Sequence, residues 1–302
     1  MKLVIFGGKG QDGTILSHQA RAMGHKVLSI GASDSANPLN AQGVASMLER
    51  EAPDQVYYFS AYHRSSEVPP KSDVIEWDRS FQTHLHGWLN VLDAVRKHCP
   101  KARMLYAASA HVFGIPPEVP QAENTPFRPN CPYGCSKLAG MQAGEWYRST
   151  YDLYVSSAIL YPHESIYRSS AFLSKKLLLA AREASQNSKH TIWIGDPEAV
   201  ADWGYAPEYT QAMCDILTLK DPGDFIISTG HPAKVSDFAK EIFAVYGLDW
   251  RKHVQVNASI LTKPQRKYVG NPQKLFHATG NRPLTHLPDL ARRLVRDFQD
   301  SS

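Results

Sequence analysis

Near the start of the chain an apolar run, Leu3-Val4-Ile5-Phe6, stops at Gly7-Gly8-Lys9-Gly10-Gln11-Asp12-Gly13, and a helical pattern at 14–23 begins directly behind it. A strand that turns at once into a helix needs glycine where the backbone bends sharply and where two segments touch. The spacing Gly7-x-x-Gly10-x-x-Gly13 meets that need. It also aims the free N–H groups of a helix N-terminus at one spot, which suits a pyrophosphate. Such a glycine pattern is informative only between a strand and a helix, and both neighbours are present. The turn predicts a dinucleotide-binding βαβ unit, with Gly7, Gly10, Gln11, Asp12 and Gly13 against an NAD(P) cofactor.

The rest of the chain extends that unit. Further β-rich runs lie at 26–30, 55–60, 103–108 and 153–160. Between them, Phe81, Leu85, Trp88, Leu92 and Val95 form one apolar stripe, predicting a single helix over about 73–98. Strands alternating with helices mean a parallel sheet covered on both faces. The expected fold is α/β: a Rossmann-type doubly wound parallel sheet over 1–160, with a smaller α/β substrate lobe over 161–302. That second part carries helical patterns at 171–185, 207–219, 235–246 and 287–298, and strand patterns at 191–194 and 225–228. We expect it to be interleaved with the last strands of the sheet.

Composition removes several function classes. With 43% hydrophobic and 21% charged residues over 302 positions, the chain is not disordered. A net charge of +4 is no nucleic-acid footprint. No run approaches the roughly 20 apolar residues of a spanning helix, and the first apolar run is shorter than the roughly 7–15 of a signal core. Cys131 and Cys135 are close, but no second pair completes a zinc set with Cys99 or Cys214. Reduced thiols and a cytoplasmic setting are the expectation. No metal site is expected: the thirteen histidines are scattered, and His84 and His86 at i, i+2 face different ways.

A second motif carries chemistry. Tyr133-Gly134-Cys135-Ser136-Lys137 places a phenol and an ammonium four apart, on one face if helical. A phenol is a poor base, and a neighbouring ammonium should lower its pKa. Ser109 follows the strand at 103–108, on the carboxyl edge where such sheets bind ligands. Its hydroxyl can hold a substrate oxygen while Tyr133 moves the proton. A Ser-His-Asp triad through Ser109 and His111 is not supported, because no G-x-S-x-G elbow surrounds Ser109. After the strand at 55–60, His63 and Ser65 are either sugar contacts or plain loop residues. Trp193, Trp203 and Trp250 are read as core before stacking platforms. NAD and NADP stay undecided. The stretch Gly31-Ala32-Ser33-Asp34 holds no Arg, and Ser33 suits a 2′-phosphate as Asp34 suits a ribose diol.

Together these motifs resemble the extended short-chain dehydrogenase/reductase family, and within it the GDP-mannose 4,6-dehydratases. The likeness runs through Gly10-Gln11-Asp12-Gly13, Pro53-Asp54-Gln55-Val56-Tyr57 and Asn124-Thr125-Pro126-Phe127-Arg128-Pro129. It continues in Tyr161-Pro162-His163-Glu164-Ser165, Asp202-Trp203-Gly204-Tyr205 and Asp224-Phe225-Ile226-Ile227-Ser228-Thr229-Gly230. It implies an NAD(P)-dependent enzyme that oxidises C4 of a nucleotide-activated hexose, eliminates water across C5–C6 and returns the hydride to C6. It implies Tyr133 as acid/base, Lys137 as its tuner and nicotinamide-ribose contact, and Ser109 as orienting group. It further implies Ser33, Ala61 and His163 at the cofactor, Glu164, Arg168 and Arg266 at the substrate, and a homodimer or homotetramer. His111 stands where the dehydratases carry a glutamate, Pro162 where they carry an asparagine, and Ala201 where they carry an arginine. The short stretch 31–53 is more like that of sugar-nucleotide 4-ketoreductases. A 4-ketoreductase, a C4 epimerase and a non-enzymatic cofactor-binding homologue are the alternatives.

Overall fold

The computed structural model describes residues 1–262 and 267–301. Strands β1 (Lys2–Phe6), β2 (Lys26–Ile30), β3 (Gln55–Tyr58), β4 (Arg103–Ser109) and β5 (Val155–Leu160) come first. Short strands follow: β6 (His163–Glu164), β7 (Ile192–Ile194), β8 (Val200–Asp202) and β9 (Gly204–Tyr205). After them come β10 (Asp224–Ile227), β11 (Pro232–Lys234) and β12 (Val254–Val256). The helices are α1 (Gln11–Ala22), α2 (Ala41–Glu51), α3 (Asp73–Phe81), α4 (Gly87–His98) and α5 (Pro132–Tyr151). Then come α6 (Leu173–Gln186), α7 (Ala206–Ile216), α8 (Val235–Val245), α9 (Gln273–Thr279) and α10 (Leu287–Asp300).

The main sheet has the order β10-β5-β4-β3-β1-β2 and is parallel throughout. Its central strands are buried on both faces, because helices cover each side. One face packs Val4, Val56, Met104 and Ile159 against α2, α4 and α5. The other packs Leu3, Ile5, Leu105 and Ala158 against α1 and α7. Chain order reverses at β1, between β2 and β3, and the carboxyl ends there form the usual ligand crevice. A separate core of Leu177, Trp203, Phe238, Phe243 and Leu294 joins α6, α8 and α10. The chain beyond residue 160 also returns to the main sheet through β10, which pairs with β5. Among the described residues no helix is long and apolar enough to cross a membrane.

The helix expected over 73–98 runs through as helix, with a π-turn at Gln82–His86 between α3 and α4. A π-turn disturbs the regular carbonyl ladder, and tyrosines from the sheet meet the carbonyls there. Tyr58 donates its hydroxyl to Thr83 O at 2.5 Å, and Tyr106 donates to His84 O at 2.9 Å. The extra residue turns His84 fully inward. Helix α2 has no counterpart in the sequence reading. Asn40 caps it by accepting from Gly43 N–H at 3.1 Å, and it buries Val44, Met47 and Leu48.

Asp202 ties the later segments together from a fully buried position. It accepts from Thr229 N–H at 3.0 Å, Thr229 Oγ1 at 2.5 Å and Gly230 N–H at 2.9 Å. Burial pushes its carboxyl up, against the pull of those donors. The Asp202-Trp203-Gly204 motif is thus a structural hub, and Trp203 is core.

Candidate active site

The glycine turn sits at the crevice. Gly7 N–H and Gly8 N–H both donate to Ile30 O, at 2.9 and 3.0 Å, fastening the turn to the end of β2. Gly7 has φ +82°, and a Cβ there would stand 2.7 Å from the Phe59 backbone. A Cβ on Gly13 would stand 2.4 Å from Gly7 O. Gly10 precedes α1 without a side-chain cap, leaving the helix N-terminus to an anion. A groove of ≈ 480 Å³ opens over this turn, walled by Gly31, Ala32, Tyr58, Ala61 and Arg168 among others. The turn and groove fit a dinucleotide. Ser33 is exposed and is not in the groove wall.

Gln11, Asp12 and His163 are bonded to one another. Asp12 Oδ1 and His163 Nε2 lie 3.0 Å apart. Gln11 Nε2 donates to His163 O at 3.1 Å, and Ser165 Oγ donates to Gln11 Oε1 at 2.9 Å. The His163 Nδ1 side meets Tyr161 O at 2.7 Å, and the ring stacks on Tyr209 at 4.6 Å. Burial works against the Asp12 carboxylate. The His163 imidazole outweighs it, by charge and hydrogen bond, and holds the Asp12 carboxyl below its ordinary value. Burial likewise opposes charge on His163, and Asp12 raises its pKa in spite of that.

Beside the groove a cavity of ≈ 190 Å³ brings Ser109, His111, Tyr133, Lys137, His163 and Arg168 into one wall, with His63 at its exposed mouth. The Cys131 thiol caps α5 at Gly134 N–H and Pro132 opens the helix, so Tyr133 and Lys137 project from its first turns. Lys137 is 1% exposed, and its Nζ donates to Ala107 O at 2.6 Å. Burial lowers its pKa to about 7, with the Asp12 charge opposing. Burial pushes the Tyr133 phenol up to about 12, while the Ser109 hydroxyl and the Arg168 charge pull down. The expectation of a depressed phenol pKa is therefore reversed here. Lys137 Nζ, 5.8 Å from the Tyr133 ring centre, is spent on the Ala107 carbonyl, and desolvation dominates.

Imidazoles crowd the phenol. The His63 and His111 ring centres stand 4.5 and 5.4 Å from that of Tyr133. Tyr268, which the sequence reading did not single out, lies 5.2 Å from His111 and also lines the cavity. Arg168 stacks on Phe172 at 4.1 Å and walls both groove and cavity. Glu164 lies behind it, accepting from Ser174 Oγ at 2.5 Å and facing Arg168 Nε at 3.5 Å. Ser65 turns its hydroxyl to Glu67 N–H at 3.3 Å and is outside the cavity wall. Arg266 lies outside the described residues. His84, which the sequence reading named only to set aside a metal pair, is a further residue beside Tyr133. Its Nδ1 meets Ser136 Oγ at 2.7 Å and its Nε2 accepts from Tyr62 N–H at 3.0 Å. Burial, then the Lys137 charge, holds its pKa well below the usual imidazole value.

The family model described as GDP-mannose 4,6 dehydratase matches residues 35–294. GDP-mannose 4,6 dehydratase 2 of Caenorhabditis elegans is 29% identical over 97% of this chain and 87% of its own length. GDP-mannose 4,6 dehydratase 1 of Arabidopsis thaliana is 32% identical over 85% of this chain and 71% of its own. Among solved structures, RMD from Pseudomonas aeruginosa complexed with NADPH superposes with TM-score 0.86 at 20% identity, covering 100% of this chain and 99% of that one. The dTDP-glucose 4,6-dehydratase of Bacillus anthracis, in complex with NAD, gives 0.84 at 17%, covering 100% and 97%. These structural likenesses speak for the fold. With the family model spanning most of its length, the chain belongs to the GDP-mannose 4,6 dehydratase family.

Proposed function

We propose that the protein is an NAD(P)-dependent enzyme acting at C4 of a nucleotide-activated hexose, with GDP-mannose, named for its relatives, as the first substrate to test. The observation that carries this is the convergence of Ser109, Tyr133 and Lys137 in one cavity beside the glycine-turn groove. Gly7, Gly10 and Gly13 let the backbone close on a pyrophosphate, and Ala61 and Arg168 wall the groove toward the cavity. A nicotinamide held there supplies the hydride exchange. Tyr133, protonated at neutral pH, donates to a C4 carbonyl oxygen that Ser109 orients. In the oxidative direction the phenol must first lose its proton, and the Ser109 hydroxyl and Arg168 charge favour that loss. Residues 161–302 form the substrate lobe in this reading, and a homodimer or homotetramer is the assembly to look for.

Elimination across C5–C6 needs a proton acceptor and a proton donor besides Tyr133. Among the described residues the only carboxylate in the cavity wall is Asp12, and it is paired with His163. Of the imidazoles in that wall not bonded to Asp12, His63 stands at the mouth, and we assign the proton transfer to His111, at the position where the dehydratases carry a glutamate. The same observation favours a second reading, a 4-ketoreductase or C4 epimerase, which needs no group at C5. Incubation with GDP-mannose and product NMR separates them. A 4-keto-6-deoxy sugar without net cofactor use supports the dehydratase. Stoichiometric NAD(P)H use with a 4-keto sugar supports the reductase. Bound cofactor with no hydride exchange on any sugar nucleotide rejects both.

A further inference from the structure

The proposed function leaves Cys131 and Cys135, the closest pair of thiols in the sequence, without a task. The two point to different places. Cys135 Sγ faces Pro129 O at 3.8 Å, on the loop before α5. Cys131 Sγ lies 4.0 Å from His111 Nδ1, a long contact of the weak kind that sulfur makes.

Both partners of that contact are held in place. His111 N–H donates to Ser109 Oγ at 3.3 Å, within the short helical turn Ala110–Phe113. A Cβ on Gly134 would stand 2.5 Å from His111 O, so glycine lets the first turn of α5 rest directly on the His111 backbone. Cys131 is the N-cap of that helix, and its sulfur accepts from Gly134 N–H at 3.4 Å. Tyr268 packs on the imidazole as well, ring centres 5.2 Å apart.

The contact also decides which nitrogen faces a substrate. His111 lines the cavity and Cys131 does not, so Nδ1 is turned to the sulfur behind the wall. Nε2, across the ring, is the nitrogen toward the cavity. The tautomer of an imidazole follows from the bond its other nitrogen makes. A sulfur at a helix N-terminus already receives one N–H, and the positive end of the helix favours it as an acceptor. An Nδ1–H donated to that sulfur leaves the lone pair on Nε2.

We propose that Cys131 is a positioning residue: its sulfur accepts a hydrogen bond from His111 Nδ1–H and so presents Nε2 as the proton acceptor at C5. The inference rests on the reading that the protein eliminates water across C5–C6 of a 4-keto hexose. In that step the C5–H bond breaks and its proton goes to Nε2. The electron pair becomes the C5–C6 double bond as the C6–O bond breaks. The imidazolium returns the proton to the departing hydroxide, and water leaves.

NMR of protein carrying isotope-labelled histidine, without sugar nucleotide and at about pH 8, where a free imidazole is neutral, reads the tautomer. His111→Gln identifies the signals. The wild type should carry the His111 proton on Nδ1. Cys131→Ser keeps a good helix cap, and its oxygen, on a shorter bond, leaves Nδ1 out of reach. It should fold as the wild type does, move the proton to Nε2 and slow deuterium uptake at C5 of GDP-mannose about 10-fold. That loss is smaller than for a missing carboxylate orienter, because sulfur is a weak acceptor. Cys135→Ser should match the wild type in both measurements. A His111 proton on Nε2 in the wild type, or one tautomer shared by wild type and Cys131→Ser, overturns the inference and leaves the elimination reading standing. A wild type that moves hydride at C4 but takes up no deuterium at C5 rejects the elimination reading, and the acceptor role with it, whichever tautomer it shows.

Discussion

The Asp12 carboxylate and the His163 imidazole meet at 3.0 Å, with only 17% and 9% of their side chains exposed. This pair joins the glycine turn to the segment after β5, so the groove and the proposed catalytic cavity share a wall. Removing one partner of such a pair leaves a largely buried charge uncompensated, at a cost of about 3 kcal/mol. Asp12→Asn should lower the urea midpoint accordingly and weaken dinucleotide binding.

The pH dependence of that loss has a definite sign. Asp12 is held below its ordinary 3.8, so its contribution is present above that value and fades as pH falls through the folded value. His163 is raised above 6.5, so its contribution is full below 6.5 and fades as pH rises through the folded value. The stability gap between wild type and Asp12→Asn should therefore be widest between about pH 4 and 6.5. Urea titrations at pH 6 and pH 9 check this; a gap that widens at pH 9 would be the wrong sign.

Lys137 carries a desolvation cost that its proposed role would explain. Its folded pKa of about 7 lies below the ordinary 10.5, so the fold is penalised for holding the charge at low pH. Lys137→Met should raise the urea midpoint at pH 6 while abolishing turnover. That gain should shrink as pH rises from about 7 toward 10.5, where the unfolded lysine also loses its proton.

Tyr133→Phe removes the proposed proton donor and little volume. Hydride transfer should fall by about 10²- to 10⁴-fold, with dinucleotide affinity nearly unchanged. Stopped-flow absorbance of the nicotinamide gives the first quantity and equilibrium titration the second.

His111→Ala separates the two halves of the proposed reaction. Hydride exchange at C4 should persist, and uptake of solvent deuterium at C5 should be lost. Equal loss of both would assign His111 to the C4 step or to packing against Tyr268.

Much of this was legible in the sequence where the signal is local. Gly7 and Gly10 must lie between β1 and α1 with Gly13 in the helix's first turn, and Tyr133 and Lys137 must share a helix face, because each motif sits within one or two turns of chain. The π-turn at 82–86 was not, since the hydroxyls that meet its carbonyls come from Tyr58 and Tyr106 on distant strands. Nor was the bond between Asp12 and His163, which are 151 residues apart. Glu164 and Ser65 are polar residues in site-like segments whose partners, Ser174 and Glu67, draw them out of the cavity wall. The reversed direction at Tyr133 has the same origin: spacing shows the ammonium nearby, but not that Ala107 O holds it.

The most direct test of the central claim uses GDP-mannose carrying deuterium at C4. Incubation with the enzyme and its dinucleotide should move the label off C4, onto C6 if elimination follows. GDP-mannose recovered unchanged, with all deuterium still at C4 and none in the dinucleotide, would contradict it.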